Sequence, residues 1–313
     1  MMTNFAIGES HAKIILFGEH SAVYGKGAIT LPIFKLKVSV KLTTNLKNNE
    51  IESDIYNGSL INAPLEFNGI KSLIFHMFKI NNLENYFINI KFENNIPIGR
   101  GLGSSAAVSC AIIKAFYKFF NLDLTHSKLI SLINISEQII HGNPSGIDAQ
   151  TVTSESPIFF ENNEIKKVPF NFDGDIIITD TEKVGSTKEA VSIVRKLIDK
   201  NPEEYELINQ LGNIVKNAKK SIDNKNIENI GNLMNKSQNI LSYFGISTNE
   251  INDIIKISNY NGALGSKITG SGLGGCVISL SKDSFTTKKI IKSLQNNGYK
   301  KNWIQPLKDF EME

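Results

Sequence analysis

The chain has 313 residues, which is long enough for one large domain or for two domains of ordinary size. Its hydrophobic content of 41%, charged content of 21% and net charge of +3 are typical of a globular protein, and its lysines are spread along the chain, which argues against nucleic-acid binding. No apolar run reaches about 18 residues and the N-terminus lacks a signal-peptide pattern, so we expect a cytoplasmic protein without a membrane span.

The first half of the chain alternates between predicted strands and predicted helices. Apolar residues that run together or alternate with polar ones indicate strands at residues 13–18, 34–42 and 86–94. Residues 104–122 are apolar nearly all round, which predicts a buried helix. A second helix is predicted over residues 125–142, with Thr125 as its N-cap and Gly142 at its end.

The pattern changes near residue 155. Residues 157–168 have the pattern of a hairpin, and residues 175–181 that of a buried strand. Helical periodicity then dominates up to residue 260, and the end of the chain predicts strand, glycine turn, strand, helix and strand. We therefore predict an α+β protein with two packed halves, residues 1–155 and 156–313. The two cysteines, Cys110 and Cys276, lie in separate apolar runs and are expected to be buried free thiols.

Residues 96–108, IPIGRGLGSSAAV, contain three glycines within five residues, followed by two serines. Residues 101–107 and 270–275 fit relaxed or full dinucleotide-binding glycine patterns, but such a site needs a second strand that ends in an acidic residue. Asp123 has the required spacing, yet it lies in a predicted helix–helix connection. A Walker A loop is also excluded, because residues 18–27 have six residues between their glycines and end in glycine instead of Ser or Thr.

Two interpretations of this stretch remain open from its residues alone. In the first, the loop opens into a helix whose first N–H groups bind an anion. Gly101 and Gly103 would let the backbone approach a phosphate, and Ser104 and Ser105 would supply hydroxyls for phosphate or Mg²⁺. In the second, the stretch is only a glycine turn with a serine N-cap.

Two other segments place charged side chains beside glycine-containing turns. Glu137 lies at a helix end, and Asp148 follows in a turn rich in Asn, Pro, Ser and Gly. Lys13 begins a buried strand that leads to Glu19 and His20 at a glycine turn. Each charge, taken singly, is typical of a solvated surface, so only their combination suggests a site.

Taken together and in order, these segments resemble the motifs of the GHMP kinases, a family that includes galactokinases, homoserine kinases, mevalonate kinases and phosphomevalonate kinases. The similar segments are GEHSAVYGK at 18–26, GRGLGSSAA at 99–107, EQIIHGNPSGIDAQT at 137–151, GSTKEAV at 185–191 and KITGSGLGGCV at 267–277. Within the family they look most like those of members that phosphorylate mevalonate.

The resemblance implies a two-domain α+β fold, with an N-terminal nucleotide-binding α/β domain and a C-terminal ferredoxin-like α+β domain. It also implies a kinase that uses ATP and Mg²⁺ to phosphorylate the 5-hydroxyl of (R)-mevalonate, a step of isoprenoid biosynthesis. The sequence leaves a homodimer open, and no nucleic-acid or membrane partner is expected.

By the same resemblance, individual residues receive roles. ATP would bind through Pro97, Gly99, Arg100, Gly101, Leu102, Gly103, Ser104, Ser105 and Ala106. Ser105 and Glu137 would hold Mg²⁺, a hard cation that prefers oxygen ligands. Asp148 would accept the hydroxyl proton, and Lys13 would stabilise charge on the attacking oxygen and the γ-phosphoryl group. The candidates for contacting mevalonate are Glu19, His20, Thr187, Gly270 and Ser271, and the substrate carboxylate would be bound either by His20 as a cation or by the amides of the glycine loop.

Two residues depart from the family pattern. Arg100 stands where a small residue is usual, which implies either a solvent-facing side chain or an added cation near the nucleotide, and Leu273 replaces a usual glycine.

The alternatives to a mevalonate 5-hydroxyl kinase are another GHMP kinase, acting on phosphomevalonate or on the 3-hydroxyl of mevalonate, and a non-catalytic nucleotide-binding sensor. The presence of Lys13, Glu137 and Asp148 together favours catalysis.

Overall fold

The computed structural model describes residues 3–141, 146–162 and 164–310. In chain order the elements are β1 (Phe5–Phe17), β2 (Ala28–Asn45), β3 (Glu50–Glu52), β4 (Asn57–Ser59), α1 (Asn68–Ile80), β5 (Phe87–Asn94), α2 (Ser104–Phe119), α3 (His126–His141), α4 (Ile147–Val152), β6 (Ile158–Glu161), β7 (Glu164–Lys167), β8 (Asp175–Asp180), α5 (Thr187–Lys200), α6 (Tyr205–Asp223), α7 (Ile227–Tyr243), α8 (Asn249–Tyr260), β9 (Gly265–Thr269), β10 (Cys276–Ser281), α9 (Ser284–Asn296) and β11 (Asn302–Pro306). This content confirms the predicted α+β class.

These elements form two compact units. The first comprises the chain up to Ala12, Leu36–Ile96 and Gly103–Thr153. The second comprises Lys13–Lys35, Pro97–Leu102 and the chain from Ser154 onward. The second unit therefore takes two segments from the N-terminal half of the sequence. The predicted domain boundary after residue 155 stays a prediction.

In the first unit, the strands pair both antiparallel and parallel, and helices α1, α2 and α4 pack against α3. β5 pairs antiparallel with β2, with Val40 opposite Phe92, and parallel with β3, with Ile51 opposite Ile90. Helix α2 packs against α3 and α4 and is buried along most of its length, as its apolar sequence predicts.

Helix α3 begins where the sequence predicts. The Thr125 hydroxyl accepts a hydrogen bond from the Lys128 N–H at 3.2 Å, which confirms Thr125 as an N-cap. The helix extends to His141. The predicted end at Gly142, and the turn through residue 145, lie outside the described residues.

In the second unit, four antiparallel strands form a sheet in the order β11-β8-β10-β9. Ile278 of β10 lies opposite Ile178 of β8 and Lys267 of β9. Helices α8 and α9 pack against these strands, and every residue of β10 is buried. The predicted hairpin is also confirmed, because β6 and β7 pair antiparallel with Phe160 opposite Ile165.

Over the described ranges, no helix combines the length and the apolar character that crossing a bilayer would require.

Candidate functional site

The start of helix α2 lacks a side-chain cap. Gly103 occupies the N-cap position with φ of 69°, and Ser104 is the first helical residue instead of the cap. The first intrahelical bond runs from the Ala107 N–H to the Gly103 carbonyl at 3.0 Å. The N–H groups before Ala107 therefore have no carbonyl partner within the helix, and they carry the positive end of its dipole. This geometry disagrees with a serine-capped turn and favours an anion site.

Ser105 places a hydroxyl oxygen, a candidate metal ligand, at the start of this helix. The hydroxyl is buried and neither donates nor accepts a hydrogen bond within the described part of the chain. Glu137, 3% exposed, lies on α3, which packs against α2 in the same unit. A buried hydroxyl without a partner among the described residues and a buried carboxylate suit the oxygen ligand set of Mg²⁺. These residues therefore fit the expected metal.

Asp148 lies in a helix and not in the predicted turn. It is the second residue of α4, which follows Gly146 in a left-handed conformation with φ of 77°. The side chain of Asp148 is half-buried. Helix α4 is fixed within the first unit by contacts with α2 and α3, and by a 3.0 Å hydrogen bond from the Ser10 hydroxyl to the Val152 carbonyl. The helix holds Asp148 on a defined backbone, which suits a positioned base.

In the second unit, β1 contacts the glycine stretch at Leu102 and the end of β9 at Thr269. The Lys13 N–H donates to the carbonyl of Leu102 at 2.9 Å, and Lys13 is only 2% exposed. The Ile15 N–H donates to the Thr269 hydroxyl at 2.9 Å. The strand therefore brings the backbone of Lys13 beside Leu102, one of the residues predicted to bind ATP.

The two glycine loops, residues 99–103 and 270–275, approach each other closely, so that backbone atoms of one loop lie against those of the other. A Cβ added to Gly101 would lie 2.6 Å from the Thr269 carbonyl oxygen, and one added to Gly270 would lie 2.8 Å from Cα of Gly101. A Cβ on Gly275 would meet the Arg100 carbonyl oxygen at 3.0 Å. Close packing of the two loops is therefore one reason for glycine at these positions, and this reason does not depend on whether their backbone binds a phosphate.

Arg100 takes neither of the roles that the sequence suggests. Its Nε donates to Oδ1 of Asp180, at the end of β8, over 2.8 Å. The side chain of Asp180 is 2% exposed and that of Arg100 is 14% exposed. The same Oδ1 accepts the Glu182 N–H at 2.8 Å. Arg100 therefore ties the glycine loop to β8 through a largely buried ion pair.

Leu273 keeps the backbone conformation that glycine favours. Its φ is 59°, in the left-handed region, and its N–H donates to the Ile246 carbonyl at 2.8 Å. The departure from the family pattern at this position therefore changes the side chain without removing the left-handed turn.

Glu19 forms a buried ion pair that the sequence does not predict. Its Oε1 accepts a short hydrogen bond from Nζ of Lys267, which also donates to the Ile268 carbonyl at 2.6 Å. Burial raises the pKa of Glu19, and the charge of Lys267 opposes this shift. Burial likewise lowers the pKa of Lys267, and Glu19 opposes that shift. The other carboxylate oxygen, Oε2, is buried and has no hydrogen bond from the described residues.

His20 contacts the glycine loop at residues 270–275. Its Nε2 lies 2.9 Å from the Ser271 carbonyl oxygen, so this nitrogen carries a proton and donates it. Burial is the main cause that lowers the pKa of His20, and the positive charge of Lys267 adds to it. A neutral imidazole is therefore favoured, which argues against His20 as a cation for the substrate. Thr187 reaches the same loop, because its hydroxyl donates to the Ser271 hydroxyl at 3.3 Å.

Within the second unit, the structure thus brings together most of the predicted mevalonate-side residues. Lys267 and Asp180 are the two charged residues that sequence reasoning missed. A signal for Lys267 existed, because a lysine in the buried strand sequence GSKIT needs a buried partner. The identity of that partner could not be inferred, since Glu19 lies 248 positions away.

Two family models match the chain. The model described as GHMP kinases N terminal domain matches residues 70–155, and the model described as GHMP kinases C terminal matches residues 218–300. The mevalonate kinase of Pyrococcus furiosus is 32% identical over 299 residues, which cover 88% of each chain.

Solved structures of mevalonate kinases are also similar to this chain. The mevalonate kinase from methicillin-resistant Staphylococcus aureus has a TM-score of 0.75 at 30% identity, covering 97% of this chain and 99% of that one. The Methanococcus jannaschii mevalonate kinase has a TM-score of 0.82 at 28% identity, covering 97% and 98% of the two chains.

Proposed function

Because this chain belongs to the GHMP kinase family, we propose that it transfers the γ-phosphoryl group of ATP to the 5-hydroxyl of (R)-mevalonate, giving ADP and 5-phosphomevalonate. The observation that carries the phosphoryl-transfer proposal is the start of α2, where helix N–H groups without an intrahelical partner lie next to a buried serine hydroxyl that has no hydrogen bond among the described residues. The similarity to curated mevalonate kinases over most of the chain supports the choice of acceptor.

The nucleotide would bind at the glycine stretch. We assign phosphate contacts to the backbone of residues 99–103 and to the N–H groups of Ser104, Ser105 and Ala106, which open α2. A helix N-terminus stabilises the negative charge of phosphate oxygens without moving any side chain. Arg100 acts indirectly, since its ion pair with Asp180 fixes the loop.

We assign Mg²⁺ to Ser105 and Glu137. When bound, the cation would neutralise charge on the phosphate oxygens during transfer. The Ser105 hydroxyl would gain the partner that it lacks within the described chain, and the Glu137 carboxylate would supply a charged oxygen ligand.

Asp148 and Lys13 divide the acid–base and electrostatic work in this proposal. Asp148 orients the 5-hydroxyl and accepts its proton as the oxygen attacks the γ-phosphorus. Lys13 stabilises negative charge on the attacking oxygen and on the transferring group. Phosphoryl transfer asks for alignment and charge stabilisation, and a buried lysine on a strand provides a fixed cation for that purpose.

Glu19 favours an unphosphorylated alcohol as the acceptor. Its buried Oε2, which has no hydrogen bond from another described residue, can accept one from a hydroxyl but would repel a phosphate group. Of the two lysines whose charges act on Glu19, Lys267 is already bound to it, and Lys13 is assigned above to the attacking oxygen and the transferring group. A phosphorylated acceptor such as phosphomevalonate would require additional Lys or Arg side chains on this side.

The direct test is an ADP-release assay with purified protein, ATP and Mg²⁺. We expect turnover with (R)-mevalonate and little with phosphomevalonate, galactose or homoserine. Product analysis would distinguish the 5-phosphate from the 3-phosphate. ATP binding without turnover on any alcohol would instead favour the sensor alternative.

Asp148→Asn tests the assigned base. The amide keeps the shape of the side chain but cannot accept the proton, so we expect kcat to fall by about two orders of magnitude or more. ATP binding, measured by calorimetry, should stay within about two-fold of wild type, a difference of under 0.5 kcal/mol. A kcat near the wild-type value would remove Asp148 from the mechanism.

A cytoplasmic location is part of the same proposal. Cys110 and Cys276 are both free and buried, and burial raises the pKa of each thiol. Free thiols of this kind are common in proteins of the reducing cytoplasm.

A further inference from the structure

Lys267 is an unusual residue for its position. It lies in the middle of strand β9 and its side chain is completely buried. A buried ammonium group is strongly unfavourable unless charged and polar partners surround it. Two partners are present, Oε1 of Glu19 and the carbonyl oxygen of Ile268.

The partner carboxylate is only half satisfied. Lys267 binds Oε1 of Glu19, whereas Oε2 is equally buried and receives no hydrogen bond from any described residue. Because a carboxylate is planar and rigid, fixing one oxygen also fixes the direction of the other. An ion pair with only a structural role would leave no reason for a buried, unsatisfied acceptor. Such an oxygen points to a ligand with a hydroxyl or N–H donor.

The backbone around Glu19 is held in place as well. The next residue, His20, has a left-handed φ of 58° and is bonded to the Ser271 carbonyl. The Ile15 N–H and carbonyl both bond to the Thr269 hydroxyl, at 2.9 and 3.2 Å. The turn that carries Glu19 is therefore tied on both sides, to β9 and to the glycine loop at residues 270–275, and Lys267 supplies the cation that binds Glu19 itself.

We propose that Lys267 is a positioning residue, which holds Glu19 so that Oε2 accepts a hydrogen bond from a hydroxyl of the acceptor substrate. This inference rests on the proposed kinase function and adds a residue that acts on substrate recognition through Glu19. Lys267 itself touches neither ATP nor the acceptor in this proposal. Its loss should thus weaken acceptor binding and leave the nucleotide site unaffected.

The test is a double-mutant cycle with Lys267→Met, Glu19→Gln and the two changes combined. The control is Lys282→Met, which removes an exposed lysine beside β10 of the same sheet. For each protein, KM for mevalonate, KM for ATP, kcat and the melting temperature are measured. A charge-assisted hydrogen bond corresponds to roughly ten-fold or more in affinity, so each single variant should raise KM for mevalonate by at least about ten-fold. KM for ATP should change by less than about two-fold.

The combined variant separates positioning from a purely structural role. Lys267→Met alone leaves a buried carboxylate unpaired and should lower the melting temperature, whereas adding Glu19→Gln removes that charge and should restore it. If Lys267 acts through Glu19, the combined variant keeps the high KM for mevalonate of Glu19→Gln, with no further increase. This comparison remains available even if Lys267→Met alone fails to fold.

Two results would overturn the inference while leaving the proposed function intact. One is a Lys267→Met protein with wild-type KM for mevalonate. The other is a combined variant whose KM reflects the product of the two single effects, since independent residues would behave in that way. A wild-type protein that does not phosphorylate mevalonate would overturn the proposed function itself.

Discussion

At the scale of single residues, the ion pair between Arg100 and Asp180 shows how a departure from a family pattern can be accommodated. The guanidinium Nε and the carboxylate Oδ1 are 2.8 Å apart, and both side chains are largely shielded from water. The pair connects the glycine loop to the end of β8. A position that is usually small therefore holds a long side chain here because β8 supplies a buried acceptor.

Arg100→Met should destabilise the protein because it leaves the Asp180 carboxylate buried without its cation. We expect the free energy of unfolding to fall by about 3 kcal/mol, the lower end for a broken buried pair, since Arg100 keeps some exposure. Urea denaturation measures this change. Adding Asp180→Asn should recover part of the loss.

The matched control is Arg195→Met. Arg195 also pairs with an aspartate, Asp199, but both side chains are more than two thirds exposed and the atoms are 3.9 Å apart. Its loss should change the free energy of unfolding by no more than about 0.5 kcal/mol. Equal losses for the two arginine variants would contradict a special role for the Arg100 pair.

Residue chemistry was easier to predict than residue pairing. The glycine stretch, Glu137 and Asp148 follow from motif resemblance, and the structure gives Ser105 and Glu137 the burial that a metal site needs. The partners of Arg100 and Lys267 lie 80 and 248 positions away along the chain. Pairing of this kind depends on the tertiary fold, so no local pattern could reveal it.

At the scale of elements, the close approach of the two glycine loops sets a steric limit. Gly101 and Gly25 have nearly the same φ, 75° and 77°. Gly101 is packed against the Thr269 carbonyl, whereas a Cβ on Gly25 would have no atom of the described residues within 4 Å. Substituting Gly25 therefore tests backbone strain alone, whereas substituting Gly101 tests backbone strain together with a steric clash.

Gly25→Ala should cost about 1 kcal/mol of stability, which is the strain of a left-handed alanine. Gly101→Ala adds a clash with backbone atoms and should cost at least about 2 kcal/mol more, because a well-packed region cannot absorb it without shifting. Denaturant unfolding of both variants gives the comparison. Similar losses would mean that the loops separate easily.

The start of α2 predicts a conflict between stability and activity. Ser105→Ala removes a buried hydroxyl that has no partner in the described structure, so the stability of the ligand-free protein should stay the same or rise by up to about 1 kcal/mol. The same change should lower kcat by at least about ten-fold if the hydroxyl binds Mg²⁺, as expected for loss of a transition-state contact.

Ser109, one turn later on α2, provides the control. Its hydroxyl is also buried and without a partner among the described residues. Ser109→Ala should therefore match the stability of Ser105→Ala and retain wild-type activity. Thermal melting and ADP release distinguish the two, and equal kcat values would remove Ser105 from the metal site.

Elements were predicted best where apolar residues marked the buried face. Helix α2 and the β6–β7 hairpin agree with the sequence pattern. Strand β1 is longer than predicted because its inward-facing residues before Lys13 are small, namely Ala6, Gly8, Ser10 and Ala12. They alternate with exposed residues but show no strong hydropathy signal. Gly8 must be small, since a Cβ there would collide with the Ala111 carbonyl of α2.

At the scale of the whole molecule, buried ionisable groups should make stability depend on pH. Burial lowers the pKa of His20 below its ordinary value of 6.5. Below about pH 6.5 the unfolded chain takes up a proton that the folded chain does not bind, so this group favours unfolding as pH falls. The contribution of His20 to the free energy of unfolding is therefore fully present above about pH 6.5, and it is lost as the pH falls from there toward the lower pKa of His20 in the folded protein.

His20→Asn tests this dependence, since Asn tolerates the left-handed backbone at this position. The free energy of unfolding is measured for both proteins from about pH 8 to about pH 5, the range in which histidine titrates. The wild-type value minus the variant value should be constant above about pH 6.5 and decrease below it. Glu19 and Lys267 are present in both proteins, so their effects largely cancel. A flat difference would contradict a buried neutral His20.

The composition of the second unit has a consequence for recombining this chain with its relatives. That unit includes Lys13–Lys35 and Pro97–Leu102 as well as the C-terminal sequence. A chimera with a single crossover near residue 155 would exchange Lys267 and Asp180 but keep Glu19 and Arg100 from the other parent. In each of these two ion pairs, one residue would then come from one parent and its partner from the other parent. A functional graft of this unit needs three inserts, and its crossover points lie within β1, within β2, on both sides of Pro97–Leu102 and before Ser154.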